Sequence, residues 1–211
     1  MPIKKDREYR NLGSFEIRSE GTEDAVVRGY ASTFDTYELY VDPDFGPIYE
    51  RISPQAFDDA DMSDVVFLRD HTGRVLARTK NGSVKLSTDE HGLATETNLG
   101  LTGASREMLE DIRVGNYSQM SFSFVVDDYH WERSDPDATI NNVRVIDSIS
   151  KLYDISAVAF PANPYTDIGL SARDLFHGEM ERQAERLENE KRDRERKRLA
   201  LRIKLMKEES R

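Results

Sequence analysis

Cysteine is absent from this sequence. That excludes disulfides, thiolate metal sites and a cysteine nucleophile. Long apolar runs are missing as well. Stretches such as "VVFL" (65–68) and "AVAF" (157–160) are far too short to span a bilayer. The opening "MPIKKDREYR" is basic, but no apolar segment follows it, so no secretory signal is expected. There is no Gly-rich phosphate loop and no zinc-type His pair. Positive charge is in deficit: 30 Lys and Arg stand against 40 Asp and Glu, for a net charge of −10. A general nucleic-acid binder needs concentrated Lys and Arg to meet phosphates, and this balance argues against one. These absences lead to an expectation of no metal, no cofactor, no nucleic acid and no membrane.

What remains is polar but clustered, with 37% apolar and 33% charged residues in 211. Three zones are visible. Residues 1–13 are polar and without periodicity, and read as a flexible arm. Residues 14–170 hold nearly all the aromatic and β-branched residues, and residues 171–211 form a linker and a charged tail. The middle zone is mostly strand. "SFEIRS" (14–19) alternates, "AVVRGYAST" (25–33) follows, and "GSVKLST" and "GLATETNL" flank a turn-rich "DEHG" as a hairpin. "NVRVIDSISKLYDISAVAF" (142–160) supplies at least two more strands. Two short helices are expected. One is "SPQAF", with Ser53 as N-cap and Pro54 at the first helical position. The other follows Thr102, buries Met108, Leu109 and Ile112, and ends at Gly115. Many short strands with few helices predict a mainly β domain, a small closed or nearly closed barrel with a few flanking helices. A sandwich is the alternative. The tail has apolar residues at helical spacing, Met180, Ala184 and Leu187, then Leu199, Ile203 and Met206. It reads as a salt-bridge-laced helix, as disorder, or as a docking segment.

In "GNYSQMSFSFVVDDY" (115–129), Met120, Phe122, Phe124 and Val126 fall on one face of a strand. Ser121 and Ser123 occupy the other. Neighbours that pack the backbone rigidly make either Ser a sound mount for a nucleophile, and the pattern barely separates the two. A serine nucleophile needs a base within hydrogen-bond reach. His71 follows the apolar run "DVVFL" at a chain turn, where the sheet can hold it toward a cleft. His91 lies in an acidic turn and His177 has no constellation around it. His130, in "DDYHWERSDPD", sits among acids of no recognised ligand spacing, and that segment reads as a polar hairpin tip. Asp154 stands inside the apolar "KLYDISAVAF". A carboxylate there is costly unless paired, either with a core Arg or with a catalytic His.

The ordered set "RGYASTFD", "VVFLRDHTGRVLARTKNGSVKLSTDEHGL", "SREMLEDIRVGNYSQMSFSF" and "LYDISAVAFPANPYTD" resembles the prohead (capsid maturation) proteases of tailed bacteriophages. That family is similar in fold to the herpesvirus assembly proteases, small β-barrels whose residues run His, Ser, third member. The resemblance implies His71 as base, Ser121 as nucleophile and Asp154 as third member. Arg69 and Asp70 depart from the more usual Asn-His-Asp pattern. It further implies capsid and scaffolding proteins as substrates, and cleavage of the chain's own termini. It places the protein in the host bacterial cytoplasm, inside the procapsid. Self-association is a further partner to consider, since herpesvirus relatives dimerise. The amides of Ala162 and Asn163, in the stiff "FPANP" loop, are the candidate oxyanion donors. Two competing readings are a non-enzymatic assembly or scaffolding module and an unrelated esterase. The latter is disfavoured by the lack of a G-x-S-x-G elbow.

Overall fold

The computed structural model describes residues 7–16, 25–137, 140–159 and 168–209. Strands β1 (Arg7–Glu16), β2 (Val26–Thr33), β3 (Tyr37–Asp42), β4 (Gly46–Ile52), β5 (Val66–Arg69), β6 (Thr72–Arg78), β7 (Val84–Thr88) and β8 (Gly92–Asn98) precede helix α1 (Gly103–Arg113). Two long strands follow, β9 (Gln119–Glu132) and β10 (Val143–Val158), and then helix α2 (Ile168–Glu209). Chain contacts divide the molecule into two units, Met1–Ile168 and Gly169–Arg211.

The first unit is built around β9 and β10, which pair antiparallel from Gln119↔Val158 to Glu132↔Val143. The alternation of β9 has the expected cause. Met120, Phe122 and Phe124 are fully buried on one face, and the Phe122 and Phe124 rings stack at 4.8 Å. Each buried ring of this kind contributes roughly 1.5–3 kcal/mol. Helix α1 adds Met108, Leu109 and Ile112 to the same core. Its ends follow the expected chemistry. Thr102 Oγ1 accepts the Ser105 N–H at 3.1 Å, and Gly115 leaves the helix at φ +82°, a conformation without penalty for glycine alone. The β7–β8 hairpin is also as expected, with Thr88↔Leu93 closing onto the acidic turn.

Several expectations are corrected. The mainly β class holds, but the pairing path β3-β4-β10-β9-β1-β2-β8-β7 is open. Among the described residues no pairing joins its ends, so a closed barrel is not seen. The sheet forks instead. One edge of β10 pairs in parallel with β4 over Val143–Ile146 and with β5 over Asp154–Ala157. The "SPQAF" segment is not a helix but a run of turns, with the Ala56 N–H on Ser53 O and the Asp58 N–H on Gln55 O. Five residues make less than a turn and a half of α-helix, too few to repay its nucleation. The segment 143–158 is one strand rather than two, its alternation broken by register shifts such as that between Leu152 and Asp154. Residues 127–132, including His130, belong to β9 and not to a hairpin tip. Residues 7–13, read as part of an arm, are in β1. They pair with β9 from Arg7↔Val125 to Gly13↔Met120.

The second unit carries a 42-residue helix. Pairs one turn apart, such as Arg192 with Glu188 at 2.6 Å, support it, and Leu187 and Leu199 are exposed along it.

Candidate active site

Antiparallel partners share a face, so the pairings Ser123↔Asp154 and Ser121↔Ser156 put four polar side chains side by side on one surface of β9 and β10. Strand β1 extends this surface with Tyr9, opposite Ser123, and Arg7, opposite Val125. The fourth element is the β5–β6 turn. Its two central residues, Asp70 (φ +48°) and His71 (φ +58°), both adopt the left-handed conformation that L-residues avoid. The Asp70 N–H continues the β5–β10 ladder by donating to Ala157 O at 3.0 Å, and the next residue swings its ring back over β10.

The result is a continuous line. His71 Nε2 lies 2.6 Å from Ser121 Oγ, and His71 Nδ1 lies 2.6 Å from Asp154 Oδ1. A carboxylate only accepts, so Nδ1 carries the proton and Nε2 presents its lone pair to the hydroxyl. The Ser121 hydroxyl has a second acceptor in reach, the Arg10 carbonyl at 2.9 Å. Ser121 and Asp154 are fully buried, while 15% of the His71 side chain is exposed. The Tyr9 ring meets the imidazole edge-on, with centroids 4.7 Å apart.

Asp154 is densely solvated by the protein. Besides His71 it accepts from Ser156 Oγ at 2.8 Å, from Ser123 Oγ and from Arg7 Nη2. Burial alone raises its pKa. The hydrogen bond and charge of His71, with the bonds from Ser123 and Ser156, outweigh that and hold the carboxyl below its ordinary range. The two readings of Asp154 left open by the sequence, ion pair or partner of the His, are therefore both realised. The Arg is not in the core, however: the Arg7 side chain is 20% exposed. Ser123 is the neighbour that braces Asp154, and among the described residues only Ser121 of the two hydroxyls meets His71.

The other candidates lie apart. His91 sits in its exposed turn. His130 bridges Asp147 (2.6 Å) and Glu132 (3.0 Å) on the exposed part of β9. Among the described residues no group of three potential ligands could hold a metal. Ala162 and Asn163 fall outside the described residues. A cavity of about 190 Å³ adjoins the His71 turn, between Arg69, Thr72 and Arg74 on one side and Glu107 and Asp111 of α1 on the other.

A family model described as caudovirus prohead serine protease matches residues 13–181. The chain belongs to that family. Prohead serine proteases are peptide hydrolases, and the match covers the strand that bears Ser121, the His71 turn and β10. No curated protein and no solved structure matches the chain. Arg7 and Tyr9 lie ahead of the matched residues, and neither they nor Ser156 was singled out from sequence. The available signal for Ser156 was its spacing: two residues past Asp154 on a strand is the same face.

Proposed function

We propose that the chain is a prohead maturation serine endopeptidase in which Ser121 is the nucleophile, His71 the general base and Asp154 the residue that orients the base. The observation that carries this reading is the unbroken Ser121–His71–Asp154 line, with each contact at 2.6 Å. The steps follow from the proton positions. Ser121 Oγ bonds to the carbonyl carbon of a substrate peptide as its proton passes to His71 Nε2. Asp154 stabilises the imidazolium so formed. The imidazolium returns that proton to the leaving amine, the C–N bond breaks, and an acyl-serine remains. Water, deprotonated by the same imidazole, hydrolyses it and restores the hydroxyl.

Ser121 is fully buried, so a scissile carbonyl reaches it only when the cover opens locally. The β1–β9 ladder is already interrupted between Arg10 and Gly13, opposite the Ser121 region, and that is the place of least resistance. Family membership supports capsid or scaffolding proteins as substrates and the procapsid interior as the place of action. The chain's own termini are further substrates under this reading. Among the described residues no helix is long and apolar enough to cross a membrane.

The test compares intact masses of wild type and Ser121→Ala after incubation, alone and co-expressed with tailed-phage capsid and scaffold proteins. Cleavage by wild type alone is expected. Uncut partners with wild type would favour a non-enzymatic assembly module, and identical cleavage by Ser121→Ala would remove Ser121 as the nucleophile.

A further inference from the structure

We propose that Ser156 is a positioning residue for the base: its single hydroxyl ties the main chain of His71 to the carboxylate that orients the ring. This rests on the proposed roles of His71 and Asp154. Ser156 Oγ accepts the backbone N–H of His71 at 3.2 Å and donates to Asp154 Oδ1 at 2.8 Å. It also lies 3.3 Å from His71 Nδ1, within reach of the proton that Nδ1 shares with Asp154. Ser156 is fully buried, so no water substitutes for it freely.

The need for such a tie arises from the turn. Asp70 and His71 are consecutive left-handed residues without the freedom of glycine, a conformation that persists only when its surroundings hold it. Two bonds from β10 do so. Ala157 O takes the Asp70 N–H, and Ser156 Oγ takes the His71 N–H. The first is a main-chain contact that almost any residue supplies. The second depends on a side chain at position 156. Ser123 provides the internal comparison: it also donates to Asp154 and accepts from Arg7, and among the described residues no bond joins it to His71. If these hydroxyls served only to solvate the carboxylate, their loss would have similar effects. If Ser156 sets the base, its loss is the heavier.

The experiment uses the full chain, with wild type, Ser156→Ala, Ser123→Ala and Ser121→Ala. The rate of labelling by a fluorophosphonate is measured against probe concentration, with thermal melting as a fold check. The downfield proton resonance of the His71 Nδ1–H is followed by NMR. Ser156→Ala is expected to lower the maximal labelling rate on the order of 100-fold, with half-saturation little changed, and to broaden the downfield resonance. Ser123→Ala is expected to lower the rate less than 10-fold and to keep the resonance. Equal effects of the two substitutions, or an unchanged resonance in Ser156→Ala, overturn the inference. A wild type that labels no better than Ser121→Ala removes the proposed nucleophile instead, and the resonance still reports on Ser156. Ser156→Cys keeps the shape, in a slightly larger group that hydrogen-bonds poorly, and is read the same way if Ser156→Ala fails to fold.

Discussion

The two faces of β1 carry two buried ionic networks that look alike and differ in kind. On one face Arg7 reaches Asp154, which also holds His71. On the other, Arg10 and Arg144 close around Glu50 and Glu8, and the Tyr37 hydroxyl adds a further bond to Glu50. Arg10, Glu50 and Arg144 are almost completely buried. In this second network each acid is matched by guanidiniums, which stay charged at any physiological pH, and no imidazole is among its members. The first contains an imidazole with one nitrogen on the acid and the other on a hydroxyl. Buried charge is thus a poor marker of chemistry by itself. The marker is a titratable ring whose second nitrogen meets an alcohol.

Substitutions at the two central acids separate the networks most sharply. Asp154→Asn keeps the shape but lets the wrong tautomer form, and is expected to reduce turnover on the order of 10³–10⁴-fold, with a smaller loss of melting than Glu50→Gln because the Arg7 left behind is part exposed. Fluorophosphonate labelling and calorimetry check both halves of this statement. Glu50→Gln leaves two buried guanidiniums to share Glu8. It is expected to destabilise the fold by about 3–5 kcal/mol, roughly 10 °C in Tm, while the remaining folded protein still labels. Loss of labelling without loss of stability in Glu50→Gln would erase the distinction.

Acid should reveal both networks in stability. Burial raises Glu8, but Arg10 and Arg144 overcome it and bring its pKa from 4.5 to about 2. Asp154 is lowered as well. Both acids bind protons more weakly in the folded chain. The Glu8 contribution is complete above the ordinary carboxylate range and is lost as pH falls from about 4.5 toward 2, and that of Asp154 is lost in the same direction. Urea midpoints should therefore drop steeply in that window, and less steeply in Glu8→Gln.

The smallest effect belongs to His130. Its pKa is raised by hydrogen bonds to Asp147 and then Glu132, so its contribution is present below the ordinary His range and lost as pH rises through the raised value. The side chain is 49% exposed, and Asp147→Asn is expected to change stability by no more than a few tenths of a kcal/mol. Unfolding measured at pH 6 and pH 9 would show it.

Much of the candidate site was legible because its members sit where sequence patterns speak. Ser121 interrupts an alternating apolar strand, Asp154 is an acid among Leu, Ile and Val, and His71 ends a run of buried residues. Strand β1 was not legible at its start, and the reason is physical. "REYRN" alternates correctly, but both its faces are polar, one toward Asp154 and the other into the Glu50 network. Hydrophobic periodicity vanishes when the core-facing positions are charged and paired. Closure of the sheet could not be read either, because it depends on how β10 divides one edge between β4 and β5. The bulges in β10 hid its length for a similar reason, since each shifts the alternation by one.

The bond between Arg7 and Asp154 joins positions 147 residues apart, and those from His71 to Asp154 and Ser121 span 83 and 50. Contacts this distant in sequence are the late and slow ones in folding. During synthesis the start of β1, from Arg7 to Arg10, must wait for β9 to emerge before it can pair, whereas Phe15 and Glu16 can meet β2 at once. A chain made only as far as β9 has Ser121 and His71 but not Asp154, so under the proposed mechanism its imidazole lacks the carboxylate that orients it.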